Sequence, residues 1–332
     1  MTFTHVLRAV ESLRDVTVRT PMLTSTALDR HVGRRVWVKA ENQQLTGSFK
    51  VRGAYNALTA LGAKDRRRGV IGASSGNHAA ALAMAAHLYE VPATVVVPED
   101  VPAVKRQAIE ALGARIVTYN RYTGRREALV HELARRHGLA IVPSANDERV
   151  IAGAGTVAWE MLQEAPDLVA ILVPVGGGGL AAGTALAATG HDPQFQVFGV
   201  EPAVADDTHR SLRVGRRIPI PPPVTIADGL GHAEPARIPF EINQCLLTDV
   251  ITVPEDAISE AMAYLWHHFR LVAEPSGAVA LAGLLQATDR FPDGPIGVVV
   301  SGGNVGWTIY RTLLDIAMNR METPPHAAAV LR

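Results

Sequence analysis

From residue 69 onward the chain alternates between short apolar runs that suit strands and longer stretches with helical spacing. No other feature narrows its fold as much. The first series reads strand 69–73, helix 77–89, strand 93–97, helix 103–112, strand 115–119, helix 124–137 and strand 140–142. A second series places strands at 169–174, 196–200, 249–253 and 297–300, with helices between them. A helix between two strands returns the chain to the end it started from, so neighbouring strands run parallel through right-handed crossovers. Two such series imply two sheets, hence two domains with a cleft between them. The expected class is α/β, with two mainly parallel twisted sheets covered by helices. The expected division is 1–67 with 146–322 as a large domain, 68–145 as a small domain that closes the cleft, and 323–332 as a flexible tail.

Ahead of this alternation, residues 5–14 read as a short amphipathic helix, 36–40 as a strand and 53–61 as a helix. The Pro-rich segment 218–224 cannot be helix or central strand and is expected as a surface connection. The 332 residues carry 32 basic and 32 acidic side chains, so nothing in the charge balance suggests a nucleic-acid partner. Cys245 is the single cysteine, which excludes an intrachain disulfide and a cysteine-rich metal site. The N-terminus lacks the apolar core of a signal peptide and no run of about 18 apolar residues occurs, so a cytoplasmic protein without membrane contact is expected.

Three strand-to-helix turns and one lysine carry the chemical signal. Lys50 lies in Gln44-Leu-Thr-Gly-Ser-Phe-Lys-Val-Arg-Gly-Ala54, between a strand and a helix. A lysine there, flanked by apolar residues and close to Arg52, is expected to lose its proton more readily, as an imine-forming amine must. Gly176 to Gly179 are four consecutive glycines between a strand and a helix. Such a run lets backbone amides crowd round one anion at a helix N-terminus, which reads as a phosphate cup. Glu201 follows Gly179 at a spacing that leaves a nicotinamide-binding oxidoreductase open, although an unbroken glycine run fits that fingerprint poorly. A non-catalytic small-molecule binding protein is also open at this point. Ser74-Ser-Gly-Asn-His78 offers amides and hydroxyls suited to a carboxylate, and Ser301-Gly-Gly-Asn304 is a third turn of the same type.

Taken together, these motifs resemble those of the fold-type II pyridoxal-phosphate enzymes, with the tryptophan synthase β-like fold, and within them the serine racemase and serine/threonine dehydratase family. Ser48 to Ala54 is similar to the family's cofactor-lysine motif, Ser74 to His78 to its substrate-carboxylate loop, Gly176 to Gly179 to its phosphate loop, and Ser301 to Asn304 to its pyridine-nitrogen motif. Further similar stretches are Val150-Ile-Ala-Gly153, Thr225-Ile-Ala-Asp-Gly229 and Glu274-Pro-Ser-Gly-Ala278, so the likeness runs from about residue 15 to about 310 in unbroken order.

The resemblance implies that Lys50 carries pyridoxal 5'-phosphate and serves as the base for the substrate's α-proton. Gly176, Gly177, Gly178 and Gly179 would hold the phosphate, Asn77 the ring hydroxyl, Ser301 the ring nitrogen, and Phe49 would lie against the ring. Ser74, Ser75, Gly76, Asn77 and His78 would receive the substrate carboxylate. The implied reaction is dehydration of L-serine, L-threonine or a close β-hydroxy amino acid to a 2-oxo acid and ammonia. Ser75 matches the position where the family's racemases carry a serine and many dehydratases an alanine, so racemase activity, or a primary serine racemase, is chemically open.

Gly199-Val-Glu-Pro-Ala-Val-Ala-Asp-Asp207 is similar to the family's divalent-cation site, which implies Mg2+, Ca2+ or Mn2+ on Glu201, the carbonyl of Ala205 and Asp207. Arg126 looks like a family arginine facing the substrate, and His232 stands near where the family carries a small polar residue. Together they could accept a second acidic group, making 3-hydroxyaspartate an alternative substrate; the bland alternative puts both at the cleft mouth, touching only solvent. Ala80 and Ser144-Ala145-Asn146 depart from the family's nucleotide-contacting pattern, which argues against ATP activation. His131, His137, His267 and His268 are expected in surface or packing roles. A homodimer is implied by the family, and feedback control through a C-terminal regulatory domain is not expected.

Overall fold

The structure, a computed structural model, describes residues 1–74, 76–101, 103–120 and 124–322. Among the described residues, ten strands form two sheets: β1 (Met22–Leu23), β2 (Val36–Ala40), β3 (Val70–Ala73), β4 (Ala93–Pro98), β5 (Arg115–Tyr119), β6 (Ala140–Ile141), β7 (Ala170–Pro174), β8 (Gln196–Pro202), β9 (Asp249–Val253) and β10 (Ile296–Val300). The larger has the order β1-β2-β10-β7-β8-β9 and the smaller β5-β4-β3-β6. Every pairing is parallel except that of β1 with β2.

This order creates two switch points. In the large sheet the chain moves outward from β7 to β8 and β9, then returns to lay β10 between β7 and β2. In the small sheet it moves from β3 to β4 and β5, then returns to lay β6 on the other side of β3. At each reversal two crossovers leave in opposite directions, so a crevice opens beyond the strands' carboxyl ends.

Strand alternation divides the core of the large sheet. Ala170 and Leu172 pack on one face with the helices Glu255–Phe269, Pro275–Gln286 and Trp307–Glu322. Ile171 and Val173 pack on the other with Glu148–Glu164 and Gly179–His191. In the small sheet, the helices Lys50–Thr59 and Asn77–Leu88 share one core with Val70 and Val95, while Arg126–His137 packs on the opposite face with Ile71 and Val96. No helix among the described residues is long and apolar enough to cross a membrane.

Two local expectations change. The helix expected from 53 begins at Lys50 itself. Gly53 is instead a crossing point, where a Cβ would lie 2.7 Å from the Val150 carbonyl oxygen, and Gly153 on the facing helix meets the Arg52 carbonyl at 2.4 Å. Two glycines therefore let the Lys50 helix and the helix Glu148–Glu164 touch backbone to backbone. A short helix, Ala63–Arg68, went unread because its run of charges shows no apolar stripe. The 323–332 tail lies outside the described residues.

A buried charge cluster ties the Lys50 helix to the large sheet. Arg52, fully buried, donates from Nε and Nη2 to Glu41 (both 2.8 Å) and from Nη1 and Nη2 to Glu160 (2.6 and 2.9 Å). Lys39, also fully buried, donates to Glu160 at 2.6 Å and to the Thr20 carbonyl at 2.7 Å. Two cations thus face two carboxylates, and the neighbouring charges hold the Glu160 carboxyl below its ordinary range against the opposing effect of burial. Removing one member strands an opposite charge in the core. Arg52→Met is expected to cost about 3–5 kcal/mol in urea unfolding; a loss below about 1 kcal/mol would mean that water or rearrangement compensates the cluster.

Candidate active site

Lys50 reaches its position through a stapled turn. Thr46 and Gly47 take positive φ (62° and 72°), and a Cβ at Gly47 would lie 2.4 Å from Asn304 Oδ1. The turn is fastened to the segment after β10: Phe49 N donates to the Ser301 carbonyl (3.1 Å), Gly303 N to the Gly47 carbonyl (2.9 Å), and Ser48 bridges Gly302. The 301–304 segment does not run straight into a helix, since the next begins at Trp307.

The Lys50 ammonium lies 4.8 Å from the Phe49 ring centroid and donates to the Ser144 carbonyl at 3.1 Å. Burial lowers its pKa to about 8, against the opposing pull of the Glu274 carboxylate. The Arg52 charge, expected to help, is instead directed at Glu41 and Glu160. An amine near 8 is neutral often enough at physiological pH to act as nucleophile or base.

Lys50 projects into a cavity of about 340 Å³ built from the carboxyl ends of both sheets. From β7 come Gly176 to Gly179, from β10 Ser301, from β3 Ser74, Gly76, Asn77 and His78, and from the segment after β6 Ser144 and Ala145. Ser75 lies outside the described residues. All four glycines are closely surrounded: a Cβ would meet the Gly229 carbonyl at 3.1 Å from Gly176, Ala145 Cβ at 3.1 Å from Gly177, Asn243 Nδ2 at 2.9 Å from Gly178 and Ala145 Cα at 3.2 Å from Gly179. Gly178 also has φ +84° and caps the helix Gly179–His191, which has no acidic residue in its first turn. Backbone amides and the helix dipole thus meet at one spot, a seat for an anion.

Asn77 is held at both ends of its amide. Its Nδ2 donates to Glu274 at 2.5 Å, and its Oδ1 accepts from Asn304 Nδ2 at 2.8 Å, which also donates to the Thr46 carbonyl at 2.6 Å. Ser301 is buried. Ser74 Oγ accepts from Gly76 N at 3.1 Å, while a Cβ on Gly76 would meet nothing within 4 Å, so the loop opens to the cavity there. The His78 ring turns toward the small sheet, where Nε2 donates to the Val142 carbonyl at 2.9 Å. Burial, then the Lys50 charge, lowers its pKa to about 4, so it is neutral, with Nδ1 buried and unpartnered among the described residues.

Arg126 and His232 both line the cavity, Arg126 with a side chain 45% exposed. Arg126 opens the helix Arg126–His137 and pairs with Glu127; His232 sits against the glycine run, its ring 3.1 Å from where a Gly176 Cβ would stand. Burial, then Lys50 and Arg126, lowers the His232 pKa to about 4, leaving a neutral ring.

Away from the cavity, Glu201 and Asp207 are fully buried with Ala205 in the turn between them. Glu201 accepts from the backbone of Thr208 (3.2 Å) and His209 (2.9 Å), whereas neither Asp207 oxygen has a partner among the described residues. Burial, then the Asp207 charge, raises the Glu201 pKa well above its ordinary value; burial raises that of Asp207 to about 7. Glu201 does not line the cavity, so the ribose contact required by a nicotinamide reading is missing.

The sequence did not single out Glu274, Asn304 or Ser276 as site residues. Ser276 Oγ accepts from Gly229 N at 3.0 Å and so steadies the loop that carries His232. The signal for Glu274 was present but ambiguous, because an acid before Pro at a helix start also reads as an ordinary cap.

The family described as "Pyridoxal-phosphate dependent enzyme" matches residues 13–302. The chain is 41% identical to an L-threo-3-hydroxyaspartate ammonia-lyase of Saccharomyces cerevisiae over 314 residues, covering 95% of this chain and 96% of the relative. Among solved structures, serine racemase from Dictyostelium discoideum superposes with a TM-score of 0.87 at 37% identity, covering 92% of this chain and 99% of that one. A pyridoxal 5'-phosphate-dependent aspartate racemase gives 0.87 at 36% identity, covering 92% and 96%. The lysine, glycine run and two-sheet cleft thus sit in a chain that belongs to the pyridoxal-phosphate dependent enzymes, as a fold-type II member of the ammonia-lyase and racemase group for β-hydroxy amino acids.

Proposed function

We propose that this enzyme is an ammonia-lyase for 3-hydroxyaspartate, with the L-threo isomer as its principal substrate, in preference to L-serine or L-threonine. The observation that carries this reading is a guanidinium, Arg126, and a neutral imidazole, His232, in the same cavity as Lys50 and the glycine cup. A substrate with one carboxylate has no use for both; a dicarboxylate does. The relative named for 3-hydroxyaspartate and the structure named for aspartate support the same choice.

The residues present fit the cofactor. Lys50 supplies an amine of lowered pKa, Gly176 to Gly179 a seat with no side chains, Ser301 a neutral hydroxyl for the ring nitrogen, Asn77 a fixed amide for the ring hydroxyl, and Phe49 an apolar face. When bound, pyridoxal phosphate withdraws electron density from the substrate's α-carbon and makes its proton removable. The amides and hydroxyls at Ser74 to Asn77 would hold the α-carboxylate, with Arg126 and His232 on the β-carboxylate, fixing which α-bond faces Lys50. Lys50 then takes the α-proton, the β-hydroxyl leaves as water once that proton is returned to it, and the released enamine is hydrolysed by water to a 2-oxo acid and ammonia. Closure of the 68–145 unit would exclude solvent during proton transfer. Ser75 would be the second acid/base for any accompanying racemisation.

The test compares kcat/KM for L-threo-3-hydroxyaspartate and L-serine. Arg126→Gln should lower it about 10- to 150-fold for the dicarboxylate, the worth of about 1.5–3 kcal/mol for a hydrogen-bonded charge, and less than about threefold for serine. Equal losses on both, or a wild-type preference for serine, would overturn the substrate assignment. Lys50→Ala should abolish turnover together with the visible absorbance band that borohydride bleaches in the wild type.

We also propose a divalent cation on Glu201, Asp207 and the Ala205 carbonyl. Two unpartnered, buried carboxylate oxygens on Asp207 beside a second buried carboxylate are costly without a positive charge, and hard oxygen donors suit Mg2+ or Ca2+. Mg2+ at 100 times its Kd should add about 2.7 kcal/mol to unfolding stability, and EDTA should remove it. The same melt in Asp207→Asn should show no response to either; a wild-type melt indifferent to both would refute the site.

A further inference from the structure

At the pole of the small sheet opposite the cleft, a second cavity of about 320 Å³ opens beside the first residues of β4 and β5. Val117, Leu133 and Leu139 belong to the apolar layer on the face of the sheet where Arg126–His137 packs, and they form an apolar floor. Arg68, Arg115 and His137 stand round it, and no acidic residue lines it.

These charges are not accounted for by the fold. Neither Arg68 nor Arg115 makes an ion pair among the described residues. The exposed Arg68 side chain crosses the space left by Gly138, at φ +66°, where a Cβ would lie 3.0 Å from Arg68 Cδ and 3.2 Å from Nη1. Arg67 beside it and Arg135 and Arg136 in the last turn of the neighbouring helix add to the positive field in a chain whose net charge is zero. Two guanidiniums and an imidazole over an apolar floor match a phosphoryl group, with its several acceptor oxygens, joined to an apolar body. The helix Arg126–His137 separates this cavity from the cleft, with Arg126 at one end and His137 at the other, about 16 Å apart along its axis.

We propose that this pole is a second ligand site, for a small organic phosphate with an aromatic or branched apolar body. The site does not depend on the substrate assigned to the cleft.

Calorimetric titration of the cofactor-loaded enzyme, whose glycine cup is already filled, tests it with phenyl phosphate and inorganic phosphate as probes. Phenyl phosphate should saturate one site and bind at least tenfold more tightly than inorganic phosphate, which lacks the apolar body. Arg115→Glu, an exposed position, should weaken phenyl phosphate at least tenfold with an unchanged thermal melt, and Leu133→Asn should erase most of its advantage over inorganic phosphate. No saturable binding at millimolar concentration, or binding indifferent to Arg115→Glu, would overturn the proposal.

Discussion

The ion cluster around Arg52 is what the site depends on. Residues two apart on a helix point to nearly opposite sides, so fixing Arg52 in the large-sheet core turns Lys50 toward the cleft. The same contacts keep the Arg52 charge away from the lysine, because Glu41 and Glu160 answer it within 3 Å. A buried cluster of this kind is weak evidence for extra stability, since apolar residues of equal volume often do as well. What it provides is a single orientation: the guanidinium fork fits two carboxylates from two elements in one way. The glycine contact between Gly53 and Gly153 then sets how closely the helix can lie.

Topology supplies the rest of the constellation. Both sheets reverse their strand order, and the residues that line the cavity leave the strands on either side of those reversals: β7 and β10 in one sheet, β3 and β6 in the other. The crossing links among them are side-chain amides and backbone bonds, above all the chain from Thr46 through Asn304 and Asn77 to Glu274. That chain joins the Lys50 turn, the segment after β10, the segment after β3 and a helix start. Movement of any one of the four must therefore be felt at Asn77.

The parts that could be read in the sequence are those whose cause is local. Strand alternation, helix spacing and the glycine run are short-range patterns, and the two sheets followed from them. Lys50 stood out because its neighbours in sequence are also its neighbours in space. Glu274 and Asn304 did not, because their roles come from partners 197 and 227 residues away, which no local pattern reveals. Arg52 was misread for the same reason: its distance from Lys50 along the chain is short, but the groups that decide its effect are Glu41 and Glu160. The start of the Lys50 helix was misplaced because Gly53 was taken for a boundary when it is a contact.

The charge pattern inside the cavity bears on substrate class more directly than any single residue. Burial leaves both His78 and His232 neutral, so they add ring hydrogen-bonding capacity without adding charge. Arg126, paired with Glu127, brings a guanidinium to the cavity, while an anion at the glycine run would be met by amide dipoles. If both histidines were cationic, their fields would lower the Lys50 pKa further and weaken it as a base. With both neutral, an amine near 8 could coexist with the two carboxylates and the phosphate of the proposed complex, and a field suited to a dicarboxylate would not disarm the lysine proposed to take its proton.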